Sequence, residues 1–245
     1  MPDTGHTGVP NELPRAETTS QTSLGRPSER RPLLVLLEGT NDAEFLIRLS
    51  RLLHQAGSSP VSLADLATKG QIVIVPFGGG ISADWWNRFA PLNCPEFHLL
   101  DREVEPQTSQ RKQLAQRVNT RPLCSARITS KRSLENYLHP RAIRAAGGGD
   151  LSFGDDDCVA QLLVRGRLRD SHPEVPWEAL SPRTRQRLSY RAKQWLNTRA
   201  VEQMTPELLA QRDPAGEILE WFRAITALLL AHERDVPLCG QEGDQ

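Results

Sequence analysis

The chain has 245 residues, of which 38% are hydrophobic and 24% charged, so it can form one large domain or two small ones. Its 30 basic and 30 acidic residues cancel, which excludes a polybasic, histone-like protein but allows local basic patches. The sequence holds no run of 18 apolar residues and begins without the apolar segment of a signal peptide, so we expect neither a membrane span nor secretion.

The four cysteines are Cys94, Cys124, Cys158 and Cys239, and they form no Cys-x-x-Cys pair. This spacing excludes a zinc ribbon and argues against a disulfide scaffold. We therefore expect a cytoplasmic protein with reduced thiols.

The first part of the chain predicts an α/β fold. Residues 1–31 are rich in Gly, Pro, Ser and Thr and are predicted to form a disordered tail. Continuous apolar runs predict strands over 32–37, 71–76, 97–100 and 123–129. Three- and four-residue apolar spacing, with turn signals between the strands, predicts helices over 42–55, 82–89, 109–118 and 134–146. This alternation indicates a parallel sheet with helical crossovers.

Strand signals stop near residue 150. Helical patterns then cover 161–169, 182–195, 205–211 and 216–232. We therefore divide the chain into an α/β domain over 32–149 and a mainly helical extension over 150–236, followed by a second disordered tail over 237–245.

Acidic residues follow two of the predicted strands. Glu38 comes directly after the first strand and Asp42 four residues later, while Asp101 and Glu103 follow the third strand. Because parallel strands end at a common edge, we expect these four carboxylates to converge there. Like charges so close need a cation or raised pKa values, and hard oxygen ligands suit Mg²⁺ or Mn²⁺. The alternative is that Asp42 only favours a helix N-terminus and that Glu103 is a loop charge.

Three segments together resemble a Toprim domain. They are Leu-Glu-Gly-Thr-Asn-Asp-Ala-Glu-Phe-Leu at 37–46, Pro-Phe-Gly-Gly-Gly at 76–80 and Leu-Asp-Arg-Glu at 100–103. Topoisomerases, bacterial primases, recombination-repair proteins and OLD-family (overcoming lysogenization defect) nucleases share this domain. The later segment Lys-Arg-Ser-Leu-Glu-Asn-Tyr-Leu at 131–138 is similar to the OLD branch. The resemblance covers residues 33–145 and implies a Toprim-like, Rossmann-like sheet.

The resemblance also implies a divalent metal held by a Glu after the first strand and an Asp-x-Asp after the third. Glu38 and Asp101 match that pattern, and Glu103 stands in place of the second Asp. Glu135 is a further expected metal ligand. Lys131 is the expected assisting lysine, and Glu38 and Lys131 are the expected catalytic pair. From the residues alone, Glu135 can equally belong to a structural helix and Lys131 can be a solvated charge.

Two stretches are basic and contain no acid. Residues 111–132 hold seven basic side chains, of which Arg111, Lys112, Arg127 and Arg132 are our candidates for binding nucleic acid. Residues 183–199 hold six, interleaved with Tyr190 and Trp195, which could stack on bases. The alternative for the second stretch is an amphipathic helix with its aromatic residues in the core.

The resemblance implies a Mg²⁺-dependent, OLD-like endonuclease that acts on nucleic acid, with DNA as the expected form. OLD proteins usually carry an ATPase domain before the Toprim domain, and this sequence has no Gly-x-x-x-x-Gly-Lys-[Ser/Thr] motif. The resemblance therefore implies either a stand-alone enzyme or one whose ATPase partner is a separate chain. Two alternatives remain open. The first is a non-catalytic protein with a vestigial Toprim site that binds nucleic acid or an ATPase. The second is a primase-like or nucleotide-processing transferase.

Overall fold

A computed structural model describes residues 31–78 and 87–235 of the chain. Four parallel strands form one sheet in the order β2-β1-β3-β4, with helices on both faces, so the predicted α/β fold is confirmed. The strands are β1 (Leu33–Leu37), β2 (Ile72–Pro76), β3 (Glu96–Leu100) and β4 (Cys124–Ile128). The two predicted tails and most of the predicted helix over 82–89 lie outside the described residues.

Eight α-helices accompany the sheet in the described part of the chain. They are α1 (Thr40–Gln55), α2 (Leu63–Thr68), α3 (Gln107–Asn119), α4 (Pro140–Ala145), α5 (Val159–Ser171), α6 (Pro182–Trp195), α7 (Pro206–Arg212) and α8 (Glu217–Asp235). Short 3₁₀ turns lie at Ala90–Leu92, Leu134–Tyr137, Trp177–Ala179 and Val201–Gln203, and a π-helical turn at Leu196–Ala200 directly continues α6.

Strand β1 lies in the middle of the sheet and is buried along its whole length, as its apolar sequence predicts. It pairs with β3 so that Leu37 stands beside Leu99. The ends of these two strands therefore meet at one edge, and Glu38 and Asp101, which follow them, are neighbours. This confirms the predicted juxtaposition of the two residues.

The two faces of the sheet are covered differently. The main hydrophobic core packs α1 against one face, which includes Phe97 and Leu99 of β3. The alternate residue Leu100 belongs to a smaller cluster with Leu114 and Val118 of α3 on the other face. Helix α3 thus begins beside the strand ends and packs on the face of the sheet opposite to α1.

The main core is continuous between the sheet and the helices after residue 150. Leu163 of α5, Leu196 of the π-helical turn and Phe222 of α8 belong to the same cluster of buried residues as β1 and α1. This packing brings α6 to the edge of the sheet where β1 and β3 end. No helix of the described residues has the length and apolar character needed to cross a bilayer.

The prediction of one helix over 134–146 is wrong. A single 3₁₀ turn at Leu134–Tyr137 is followed by extended backbone at Leu138 and His139, and α4 starts only at Pro140. Proline lacks an N–H and disfavours helical backbone in the residue before it, so the helix cannot run through this point. The break fixes Glu135 in a short turn beside the strand ends.

Candidate functional site

Three buried carboxylates from separate elements surround one ammonium group. Asp42 lies in the first turn of α1, Asp101 directly follows β3, and Glu135 lies in the 3₁₀ turn. Their side chains are only 4–6% exposed. The Nζ atom of Lys193 on α6 lies 3.0 Å from Asp42 Oδ1, 3.6 Å from Asp101 Oδ2 and 3.6 Å from Glu135 Oε1. We call Asp42, Asp101 and Glu135 the acidic cluster.

Hydrogen bonds hold the acidic cluster in place. The backbone N–H of Leu134 donates to Asp101 Oδ1 at 3.1 Å, which ties the 3₁₀ turn to the end of β3. The side-chain amide of Asn197, in the π-helical turn, donates to Glu135 Oε1 at 2.6 Å. The cluster is therefore fixed by both the sheet and the helical extension.

Glu38 lies next to the acidic cluster but has its own cation. Arg111 of α3 donates from Nε and Nη2 to its two carboxylate oxygens, each at 2.8 Å. The backbone N–H of Asp101 also donates to Glu38 Oε1, at 3.1 Å. A bidentate pair of this kind fixes both side chains firmly. Arg111 therefore positions Glu38, and it is buried rather than available to a nucleic acid.

Two carboxyl groups of the acidic cluster have raised pKa values, and burial is the main cause. Burial, together with the charges of Glu135 and Glu38, raises the pKa of Asp42 to about 6 although Lys193 lowers it. Burial also raises the pKa of Asp101 well above its usual range, and Asp42, Glu135 and Glu38 add to the effect. For Lys193, burial opposes the charge, but the three carboxylates outweigh it and raise its pKa.

The donor set fits a hard divalent cation in ligand type and in charge. Four carboxylates, those of the acidic cluster and of Glu38, face the two cations Lys193 and Arg111. Carboxylate oxygens are the ligands that Mg²⁺ and Mn²⁺ prefer. As the side chains stand, however, residues 31–78 and 87–235 contain no group of three or more His, Cys, Asp or Glu residues spaced to hold a metal ion. Lys193 is the cation among the carboxylates.

Two predicted site residues lie apart from the acidic cluster. Glu103 turns to Arg132, with 3.4 Å between its Oε2 and Nε of the arginine. Lys131 is buried, its Nζ pairs with Asp155 Oδ1 at 2.6 Å, and it lies over the ring of Tyr137. Both side chains therefore pair with residues outside the acidic cluster. The ligand assignments for Glu38, Asp42, Asp101, Glu103 and Glu135 stay predictions.

The remaining candidates for nucleic-acid binding differ in their surroundings. Lys112 and Arg127 are exposed on α3 and β4. Arg132 is partly exposed and pairs with Glu103. On α6, Tyr190 is 57% exposed, whereas Trp195 packs under the guanidinium of Arg167, 4.5 Å from its ring centre. Tyr190 is therefore the available aromatic residue of the second basic stretch.

A cleft of about 760 Å³ opens beside the acidic cluster, between α5, α6 and the turn after β4. Glu135 and Lys193 lie at one end, and Glu103, Arg132, Arg185 and Tyr190 also line it. Its size is in the usual range for ligand-binding clefts. The cleft is a route by which a polyanion could reach the carboxylates.

Sequence reasoning missed the role of Lys193. In the sequence it is one of six cations in the stretch 183–199, far along the chain from the acids. A local signal does exist, since the predicted helix places residues 185, 189 and 193 on one face. Nothing in the local pattern, however, places that face against the strand ends.

The sequence matches no family model and no curated protein. Three solved structures resemble the fold. The C-terminal region of the Xanthomonas campestris pv. campestris OLD protein has a TM-score of 0.46 at 13% identity, over 84% of this chain and 98% of that chain. The C-terminal region of the Burkholderia pseudomallei OLD protein has a TM-score of 0.44 at 15% identity, over 81% of this chain and 98% of that chain.

Proposed function

We propose that the protein hydrolyses phosphodiester bonds in nucleic acid with a divalent cation, as an OLD-like endonuclease would. One observation carries the proposal. Three buried carboxylates from separate elements surround a single cation, and burial, with a smaller effect from the neighbouring carboxylates, raises the pKa values of Asp42 and Asp101. Burying that many acids together is costly unless a further cation joins them. The adjacent cleft supplies access for a substrate.

In this proposal, Asp42, Asp101 and Glu135 hold Mg²⁺ or Mn²⁺, with Glu38 beside them. When bound there, such a cation would supply activation of a water molecule and charge stabilisation at the leaving oxygen. Arg111 orients Glu38 through its two hydrogen bonds. Lys193 contacts the acidic cluster and also lines the cleft, so its ammonium group can bind a substrate phosphate at the entrance.

Lys193 takes the role in the proposal that the family resemblance assigns to Lys131. Only 9% of the Lys131 side chain is exposed, and its ammonium group pairs with Asp155 rather than with the acidic cluster. Lys193 keeps 29% of its side chain exposed beside the carboxylates. Both residues are lysines, so Lys193 is assigned this role because of its position.

The test is cleavage of supercoiled plasmid, linear duplex and single-stranded DNA in Mg²⁺, in Mn²⁺ and in EDTA. We expect cleavage with either metal and none in EDTA. Asp101→Asn keeps the size of the side chain but removes a ligand charge, so the rate should fall about a hundredfold or more, while DNA binding survives. Asp150→Asn is the matched control, because Asp150 is 85% exposed and pairs with the exposed Arg144. Undiminished cleavage by Asp101→Asn would contradict the proposal.

A second candidate function is a non-catalytic partner of nucleic acid or of an ATPase. The observation that favours it is Lys193, whose ammonium group lies among the carboxylates where a metal would otherwise be held. A vestigial site could keep such an internal cation permanently. Wild-type protein that binds nucleic acid but cleaves no DNA or RNA form in either metal would establish this function instead.

A further inference from the structure

Helix α6 begins with an unusual concentration of positive charge. Arg183, Arg185 and Arg187 lie in its first two turns, and its first turn carries no acid. The positive end of a helix dipole disfavours cations at this position. Among the residues that the structure describes, none of these three arginines forms an ion pair, in contrast to Arg111 or Arg132. An external anion would relieve this arrangement.

Two clefts border α6 on different sides and meet at Tyr190. The 760 Å³ cleft contains Arg185 and Lys193 and leads to the acidic cluster. A second cleft, of about 490 Å³, is lined by Arg183, Arg187 and Tyr190. Helical spacing explains the division, because residues 185, 189 and 193 share one face and residues 183, 187 and 190 another. Gln186 and Tyr190 line both clefts and form the ridge between them.

The ring of Tyr190 is placed for stacking. It is 57% exposed, although burial of an aromatic ring is normally favourable. Apolar neighbours of the same helix do pack inward: Leu188 and Trp195 lie against the main core. The side chain of Tyr190 therefore lies outside the core face of α6, between the two basic clefts.

We propose that α6 binds single-stranded nucleic acid, with a base stacked on the ring of Tyr190. On one side of Tyr190, Arg185 and Lys193 contact phosphates. On the other side, Arg183 and Arg187 contact phosphates. The inference rests on the proposed function, because it names the substrate class that the acidic cluster would receive. The strand would run from the acidic cluster through the larger cleft, across Tyr190 and into the smaller cleft.

The exposed ring of Tyr190 favours a single strand over a duplex. A tyrosine ring stacks on an unpaired base, whereas the faces of bases inside a duplex are covered by their neighbours.

The first test measures stacking. Wild type, Tyr190→Ala and Tyr190→Phe are titrated in EDTA against fluorescein-labelled single strands of twelve thymidines and of twelve abasic nucleotides. Tyr190→Ala should weaken binding of the thymidine strand by about fivefold or more, while Tyr190→Phe retains it, because the ring and not the hydroxyl stacks. Binding of the abasic strand should be equal for all three proteins. An equal effect of Tyr190→Ala on both strands would overturn the stacking role.

The second test measures phosphate contacts. Replacing Arg183 and Arg187 together with Gln should lower the slope of log affinity against log salt concentration by about 1.4, because each neutralised phosphate of a single strand contributes about 0.7 to that slope. Arg51→Gln is the matched control, because Arg51 is exposed on α1 and lines neither cleft. If the slope for the double variant equals that for Arg51→Gln, the proposed path of the strand across α6 is wrong.

The two proposals can fail separately. If Asp101→Asn abolishes cleavage but neither the Tyr190 nor the arginine variants change single-strand binding, the metal-dependent function stands and the inference on α6 fails. If wild type cleaves nothing but binds the thymidine strand through Tyr190, the inference stands as a binding surface and the proposed function fails. Tighter binding of a twelve-base-pair duplex than of the single strand would overturn the inference directly.

Discussion

At the scale of single residues, Asp42 carries a charge that its surroundings disfavour. Its pKa of about 6 lies above the ordinary value of 3.8, chiefly because the carboxyl is buried. The folded protein therefore keeps a proton that the unfolded chain has already released between about pH 4 and pH 6. Stability should fall as pH rises through this window, and the full penalty should be present above about pH 6.

Asp42→Asn should remove this penalty. In EDTA at pH 7.5 we expect the free energy of unfolding to rise by on the order of 2 kcal/mol, and to equal that of wild type below about pH 3.5. Urea unfolding at a series of pH values measures the difference at pH 7.5 and its disappearance at low pH. Asp150→Asn, an exposed substitution of the same chemistry, should change little at any pH. A variant less stable than wild type at pH 7.5 would show that Asp42 is needed ionised in the metal-free fold.

At the site, residue types are more predictable from the sequence than residue partners. Asp42 and Asp101 are expected at one edge because strand ends and helix starts are local features. The partner of Glu38 could not be derived, since Arg111 approaches from a helix on the other face of the sheet. The same limit applies to Lys193, whose helix is placed by the packing of the whole core and not by its own sequence.

At the scale of elements, β3 carries a buried ionic network at its first residue. Glu96 is 1% exposed and accepts two hydrogen bonds from Arg121, at 2.9 and 2.6 Å. His98 Nε2, two residues along the same face, lies 2.8 Å from Glu96 Oε2. Burial raises the pKa of Glu96, but the hydrogen bonds from His98 and Arg121 outweigh burial and keep the pKa below its usual range. The network joins β3 to the chain after α3.

Arg121→Ala should leave the buried Glu96 carboxylate without its two hydrogen bonds from arginine, while the contact with His98 remains. We expect a loss of about 3 kcal/mol in the free energy of unfolding at pH 7, measured in urea, because removing one partner of a buried charge is expensive. The loss should shrink at low pH, where protonation of Glu96 removes the charge. Arg117→Ala, an exposed change in the last turn of α3, is the control and should cost far less. Equal midpoints for the two variants would contradict the assignment.

Helices and strands with a strong apolar pattern can be predicted from the sequence. Those that are interrupted by a proline or are too short to show a pattern cannot. The apolar runs of β1 and β3 and the spacing in α1 and α6 correspond to the observed elements within a few residues. The division between the turn at Leu134–Tyr137 and α4 escapes the prediction, because the apolar spacing there continues across the proline at position 140. The short helix α2 escapes it too, since six residues carry little periodicity.

At the scale of the whole molecule, the acidic cluster joins parts of the chain that are far apart in sequence. Asp42 belongs to the helix after β1, Asp101 to the end of β3, and Lys193 to the helical extension. One continuous core supports all three elements. We therefore expect the described part of the chain to unfold in one cooperative step, so that a ligand at this edge shifts the stability of the whole fold.

Mg²⁺ should raise the melting temperature of wild type, because it binds the folded state. A concentration one hundred times the dissociation constant adds about 2.7 kcal/mol, and each kcal/mol corresponds to about 2–4 °C for a chain of this size. Lys193→Met keeps the length of the side chain but removes the cation from the acidic cluster. It should melt earlier than wild type in EDTA, since three buried carboxylates lose their counter-charge.

The variant should gain more than wild type from added Mg²⁺, because the metal then meets no competing ammonium group among the carboxylates. Ca²⁺, which also takes oxygen ligands, tests whether the gain depends on charge alone. Arg51→Met is the control and should respond to Mg²⁺ as wild type does. Identical melting temperatures in EDTA and in Mg²⁺ for both wild type and Lys193→Met would mean that the carboxylates hold no metal even when the lysine is gone. That result would favour the non-catalytic function.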